Sequence, residues 1–268
     1  MPAGVTAGMR PEVLLTFDID WSPDWMIDEV SAMLVEGRVK STWFVTHASP
    51  AIDRLRKRDD LYELGIHPNC LPGSSHGSNE REVMQYVKAI VPEAVSMRSH
   101  NLYQTSAFLF MAARDFGMRL ESNAFLPGAP GIVTSDLRSD DIAIRRAPIF
   151  WADDLAMRDP QNTWREATTF SYAPGLKVFD FHPLHVVANA NDYSRYESMK
   201  RQRSIPDWTL DFVKPYRSQG HGSAAVLKNL IAMLSGQPTL FMKELLDAEP
   251  VAAHGEISQA SRQTGEVR

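Results

Sequence analysis

"EVLLTFDID", Glu12 to Asp20, is the stretch that decides how this chain is read. It is a short apolar run of β-forming residues between Pro11 and Pro23, and it closes on acids. An apolar run of this length, bounded by turn residues, reads as a buried strand. Asp18 and Asp20 stand two apart, so an extended backbone points both side chains to the same side.

Outward from this strand the pattern alternates. Residues 24–37 place Ile27, Val30, Met33 and Leu34 on one helical face and end on Gly37. "STWFVT" is a second strand, "PAIDRLRKRDD" a short charged helix and "YELGIH" a third strand. "NEREVMQYVKAIVP" is helical, "AVSMRS" extended, and "TSAFLFMAARDFG" a helix with a Thr/Ser cap and a Gly stop. "MRLESN", "IAIRRAPIFW" and "LKVFDFH" follow as strands, "GSAAVLKNLIAMLSG" as a helix, and "PTLFMKEL" as a short strand or turn. Alternating strand and helix predicts an α/β architecture with a parallel sheet. The expectation is one domain over residues 1–246, followed by a polar, flexible tail over 247–268.

The 268 residues, 44% hydrophobic, suffice for one large core. A net charge of −5 and the lack of a basic face argue against nucleic acid as a partner. The single Cys70 cannot form an internal disulfide and fits a reducing compartment. Neither a secretory leader nor an apolar run of about 18 residues is visible, so a soluble cytoplasmic protein is expected. Nothing in the sequence fixes the oligomeric state.

Titratable residues gather where apolar strands stop. Asp18 and Asp20 close the first strand and His67 the third. "MRSHN" gives Arg98 and His100, and "KVFDFHPLHV" gives Asp180, His182 and His185. In α/β barrels, function sits at these carboxyl ends. One carboxylate and two imidazoles can hold a divalent ion with positions left open. A second carboxylate can take a proton from water, an imidazolium can protonate a leaving amine, and a guanidinium can keep the base ionised. The set points to metal-assisted hydrolysis.

The loop "GIHPNCLPGSSHG", Gly65 to Gly77, offers both His67 and His76 as ligands. His76 could equally cap the helix that begins near Ser78, and Asn69 and Cys70 are alternatives for the third position. His182 and His185 are three apart, so on a strand they would face opposite sides. His182 is the one expected in the site, and His185 contacts substrate or supports it. His100 is expected to line the pocket. "FWADD" puts Trp151 and Asp154 where a sugar ring could be stacked and its hydroxyls bonded. "RSQGHGSAA" precedes a helix and is either an anion site or ordinary capping.

At these residues the sequence resembles the polysaccharide deacetylases, the NodB-homology or carbohydrate esterase 4 family. "LLTFDID" looks like the family's first motif, "MRSHN" its arginine motif and "FDFHP" its late histidine motif, over Val13 to His185. The likeness is to a divergent branch associated with surface-polysaccharide biosynthesis. It implies a distorted (β/α) barrel of about seven parallel strands and a divalent metal, zinc in the first place. It also implies Asp18 as general base, Asp20 as metal ligand, Arg98 as support for the base and His182 as general acid. Two departures stand out: His67 and His76 are nine positions apart, and Ser99-His100 replaces a proline-bearing continuation. The expected activity is removal of an N-acyl group, acetyl above all, from a sugar or sugar nucleotide. The alternatives are a deformylase or small-amide hydrolase on the same scaffold, or a carbohydrate-binding relative without catalysis.

Overall fold

The computed structural model describes residues 11–139, 141–159, 164 and 174–247. The expected tail beyond Asp247 lies outside the described residues, as does most of the stretch 160–173.

The strands are β1 (Pro11–Asp18), β2 (Ser41–Val45), β3 (Tyr62–Ile66), β4 (Ser96–Met97), β5 (Leu120–Glu121), β6 (Ser135–Ser139), β7 (Ile142–Arg146), β8 (Ile149–Ala152) and β9 (Gly175–Phe181). They form one sheet in the order β6-β7-β5-β4-β3-β2-β1-β9-β8. Every neighbouring pair is parallel except β6 with β7. An isolated parallel bridge, Phe125 to Ile149, ties β8 to the segment after β5. The fold is thus mixed α/β with a single large, mostly parallel sheet.

Eight of the described strands run parallel, against about seven expected, and the difference has a local cause. "IAIRRAPIFW" reads as one strand but is two. β7 pairs with β5, whereas β8 pairs with β9 at the far edge of the sheet. Pro148 lies between them and has no N–H to continue a ladder. β6, "SDLRS", gives no apolar signal because it is a part-exposed antiparallel edge. "PTLFMKEL" contributes a 3₁₀ turn, Met242–Leu246, and not a strand.

Four helices link the first strands: α1 (Asp24–Gly37), α2 (Pro50–Arg56), α3 (Glu80–Ile90) and α4 (Ser106–Phe116). The caps on α4 form as expected: the Thr105 side chain accepts from Phe108 N–H, and Gly117 takes φ +69°. Gly37 has a different role from the stop predicted for it. The left-handed residue is Arg38, while a Cβ on Gly37 would fall 2.5 Å from the Ile231 side chain. Gly37 therefore lets α1 approach helix Ser223–Leu234 closely.

The strand core is apolar, with Phe17 stacked on Trp43 at 4.4 Å and on Phe181 at 5.8 Å. One carboxylate is buried near the amino ends of the strands. Glu63 accepts from Thr42 Oγ1 (2.8 Å), Ser96 Oγ (2.7 Å) and the Lys243 N–H (3.0 Å). This cluster pins the Met242–Leu246 turn against β2, β3 and β4, at the opposite end from the titratable residues. None of the helices among the described residues is long and apolar enough to cross a membrane.

Candidate active site

The carboxyl ends of β1, β3, β4 and β9 surround a cleft lined by Asp18, Asp20, His67, His100, Asp180 and His182. β1 and β9 are in register with Thr16 beside Asp180, so the two strands present acidic and imidazole side chains at the same level.

Arg98, fully buried at the end of β4, organises one wall. Its Nη1 donates to Asp18 Oδ1 at 3.0 Å and to Asp180 Oδ1 at 2.6 Å. Its other two nitrogens meet Ser122, with Nε on the carbonyl at 3.2 Å and Nη2 on Oγ at 3.1 Å. The guanidinium also lies 4.6 Å from the ring centre of Phe44. Each nitrogen of this buried cation has a hydrogen-bond partner, which is what makes its burial tolerable. Burial raises the Asp180 carboxyl well above its usual range; Arg98 opposes this, and the neighbouring Asp18 adds to it.

The second wall is built around Asp153, at the start of α5 (Asp153–Ala156). Its Oδ1 receives His182 Nδ1 at 2.7 Å and His185 Nδ1 at 3.0 Å. Its Oδ2 accepts from the His182 N–H at 3.0 Å and from Ser223 Oγ at 2.7 Å. Burial would raise the Asp153 carboxyl, but the charges and hydrogen bonds of His185 and His182 outweigh it and hold the group below the usual carboxylate range. Burial likewise works against charging His182, yet Asp153 and then Asp20 raise its pKa well above the ordinary value. The imidazole therefore keeps its proton, with Nε2 on the cleft side, 3.7 Å from Asp20 Oδ2.

Between the walls, three donor atoms converge. Asp20 Oδ1 lies 3.2 Å from His67 Nε2 and 3.0 Å from His100 Nδ1, and the two nitrogens are 3.4 Å apart. Ligands at zinc-type bond lengths of about 2.0–2.1 Å in tetrahedral array stand roughly 3.3 Å from one another. One carboxylate and two imidazoles at these separations fit a divalent ion. Burial would raise Asp20, but His100 and His67 hold it well below the usual range. Among the described residues, two other groups of acids and histidines are close enough to be considered. Around Asp153 the carboxylate is already saturated by four hydrogen bonds, and between Asp18 and Asp180 a guanidinium already supplies the cation.

His100, and not His76, stands beside Asp20 and His67. After Ser99 the chain enters a 3₁₀ turn, His100–Leu102, with Asn101 and Leu102 both at φ +54°. The His100 N–H bonds the Pro68 carbonyl at 2.9 Å, which turns the imidazole inward. His76 braces the loop instead. Its Nδ1 accepts from the Asn69 N–H at 3.1 Å, and its ring stacks on Tyr86 at 4.8 Å. Burial lowers its pKa to about 4, so it stays neutral. Its Nε2 is buried with no partner among the described residues.

The remaining expected residues fall on both sides of the cleft wall. Asp154 lines the cleft. Trp151 does not belong to the lining; its ring packs on Phe181 at 5.2 Å, Phe179 at 5.9 Å and Trp164 at 6.1 Å. His185 is buried behind Asp153, edge-on to Tyr196 at 4.7 Å, and does not line the cleft. "RSQGHGSAA" resolves to capping: the Ser223 N–H bonds the Ala190 carbonyl and the Ala225 N–H bonds Asn189 Oδ1. Asp153 and Asp180 carry no role in the sequence reading. For Asp180 a signal existed, since Asp180 and His182 repeat on β9 the two-residue spacing of Asp18 and Asp20 on β1.

A family model for WbmS-like polysaccharide deacetylases matches residues 15–200. Among solved structures, the chain is similar to WbmS of Bordetella bronchiseptica, assigned as a polysaccharide deacetylase involved in O-antigen biosynthesis. The two are 31% identical, with 84% of this chain and 91% of that one covered and a TM-score of 0.70. The Bc1960 peptidoglycan N-acetylglucosamine deacetylase shares the fold, with 13% identity, 90% of each chain covered and a TM-score of 0.50. None of the curated proteins matches the chain significantly. The family match and the WbmS identity together show that the chain belongs to the WbmS-like polysaccharide deacetylases.

Proposed function

We propose that the protein is a metal-dependent hydrolase that removes an N-acetyl group from a sugar or sugar nucleotide. The observation that carries this reading is the flanking of Asp20, His67 and His100 by two different proton-handling pairs. Arg98–Asp18 stands on one side and Asp153–His182 on the other.

Asp20, His67 and His100 are the residues that would hold a divalent ion, zinc in the first place for one carboxylate and two imidazoles. Such an ion, when bound, supplies Lewis-acid polarisation of the acyl oxygen and makes water a stronger acid. Asp18 takes the proton of the attacking water, and Arg98 keeps its carboxylate oriented. His182 gives its Nε2 proton to the departing amine nitrogen, while Asp153 fixes the tautomer and favours the protonated ring. Water and amide become acetate and amine, so no further reactant is needed. The lone Cys70 fits a reducing compartment, and soluble sugar precursors such as sugar nucleotides are the substrates we propose.

Acetate release from N-acetylated sugars and sugar nucleotides tests the reading. Zinc-loaded protein should release acetate, and Asp20→Ala should abolish both release and metal retention. Formate or ammonia in place of acetate would move the activity to the deformylase or small-amide alternative. Ligand binding without any release, indifferent to Asp20→Ala, would favour a binding module.

A further inference from the structure

The cleft encloses about 120 Å³. Pockets that engulf a ligand hold roughly 300–1,000 Å³. The acyl amide can enter, and the rest of a sugar substrate must lie across the rim. Among the described residues the rim carries one cation that the mechanism does not use. Arg158, just after α5, lines the cleft and is exposed.

Its guanidinium sits over the Tyr193 ring, 4.3 Å from the centroid, and no carboxylate pairs with it among the described residues. This is unexpected from charge alone. Asp154 also lines the cleft and stands four residues earlier, a spacing at which Asp and Arg on a helix commonly pair. Asp18, Asp20 and Asp180 line the same cleft, but His100, His67 and Arg98 already engage them. The contact with Tyr193 uses none of the N–H donors of Arg158 on a carboxylate, and a guanidinium edge matches a carboxylate or phosphate in two parallel hydrogen bonds. The short segment from Asp153 to Arg158 is internally bonded, Met157 N–H to the Asp153 carbonyl and Arg158 N–H to the Leu155 carbonyl. Arg158 is thus tied in position to the residue that holds His182.

Building on the deacetylase reading, we propose that the substrate carries an anionic group next to the acylated sugar, a carboxylate or a phosphate, and that Arg158 binds it. Gripping that group at the rim would orient the acetamido group between Asp18 and His182.

Calorimetric binding to zinc-loaded protein tests this with three probes. These are the neutral methyl glycoside of N-acetylglucosamine, the corresponding glycoside oxidised to the uronic acid, and UDP-N-acetylglucosamine. At least one anionic probe should bind wild type about tenfold or more tighter than the neutral one, the size of a charge-assisted hydrogen-bond pair. Arg158→Gln should collapse that ratio, Arg158→Lys should keep part of it, and added salt should shrink it in wild type. The preferred anionic probe distinguishes carboxylate from phosphate. Equal binding of all three probes, or a ratio that survives in Arg158→Gln, overturns the assignment. Anion preference lost in Arg158→Gln, in a wild type that releases no acetate from any probe, would uphold the Arg158 site and refute the deacetylase reading instead.

Discussion

Asp153 Oδ1 accepts the Nδ1 proton of His182 at 2.7 Å, and this bond decides which nitrogen of the imidazole faces the cleft. Asp153→Asn keeps the size of the side chain but can present an amide N–H to Nδ1, which would favour the wrong tautomer. We expect kcat to fall by a factor on the order of 10²–10⁴, the usual range for loss of a positioned acid or its orienting partner, with KM little changed. Steady-state kinetics on the acetate-releasing substrate measures the split. Activity should also depend on pH through this pair. His182 must carry its proton, so wild-type kcat/KM falls as pH rises through its raised pKa. In Asp153→Asn that fall should move to lower pH.

The same pair has a signature in stability. His182 has a raised folded pKa, so its contribution is fully present below the ordinary histidine value and is lost as pH rises through the folded one. Asp153 has a depressed folded pKa, so its contribution is present above the ordinary carboxylate value and is lost as pH falls through the folded one. Thermal unfolding across pH should therefore show a stability plateau between these limits in wild type. Asp153→Asn should flatten both flanks.

Metal retention separates His100 from His76. His100→Ala removes one of three converging donors and should lower bound zinc to well under one equivalent after dialysis. His76→Ala removes a loop brace: the Tyr86 stack, a tilted contact with Trp21 and one hydrogen bond from Asn69. It should retain zinc, with a stability loss of about 1–2 kcal/mol. Elemental analysis and urea unfolding of both variants provide the check. Retained zinc in His100→Ala together with lost zinc in His76→Ala would reverse the assignment.

Arg98 is a buried cation shared by Asp18 and Asp180, so its removal leaves two carboxylates without their counter-charge. Breaking a buried pair by removing one partner costs about 3–5 kcal/mol. Arg98→Ala is expected to unfold at markedly lower urea. Arg98→Lys should fold better but lose activity, because an ammonium cannot meet Asp18, Asp180 and Ser122 in one plane.

Much of this site could be read from the sequence for one physical reason: a buried parallel strand is apolar until it ends, so its terminal polar residues stand out. Asp18, Asp20, His67, Arg98 and His182 all stand out that way, and the structure gathers them at the cleft and its wall; the α/β class follows from the same alternation. The structure places residues differently from the sequence reading where backbone geometry breaks from the regular pattern. His100 reaches the donor cluster from an irregular 3₁₀ turn, anchored through its N–H on the Pro68 carbonyl and followed by Asn101 and Leu102, both left-handed and neither of them glycine. Of the adjacent acids Asp153 and Asp154, the first turns toward His182 and the second toward the cleft, and only the helical twist at the start of α5 decides which. Trp151 sits on a strand next to acids, yet it packs, half-buried, on the rings of Phe179 and Phe181 and away from the cleft.

The cluster around Glu63 predicts how the C-terminal turn is held. Three donors, from Thr42, Ser96 and Lys243, converge on one carboxylate that is only 4% exposed. Glu63→Ala would orphan all three, at about 1–3 kcal/mol for each group that water cannot reach. We expect a loss of several kcal/mol overall, together with release of the Met242–Leu246 turn. Glu63→Gln keeps an acceptor and should lose far less. It should also remove a pH dependence of defined sign. Burial raises the Glu63 carboxyl, so the folded state gains stability as pH falls toward the ordinary glutamate range and loses it as pH rises through the folded value. Urea unfolding at several pH values, with limited proteolysis near Leu240 to report the turn, tests both. If the Ala variant unfolds like wild type, the turn is held by the packing of Met242 and Leu245 rather than by Glu63.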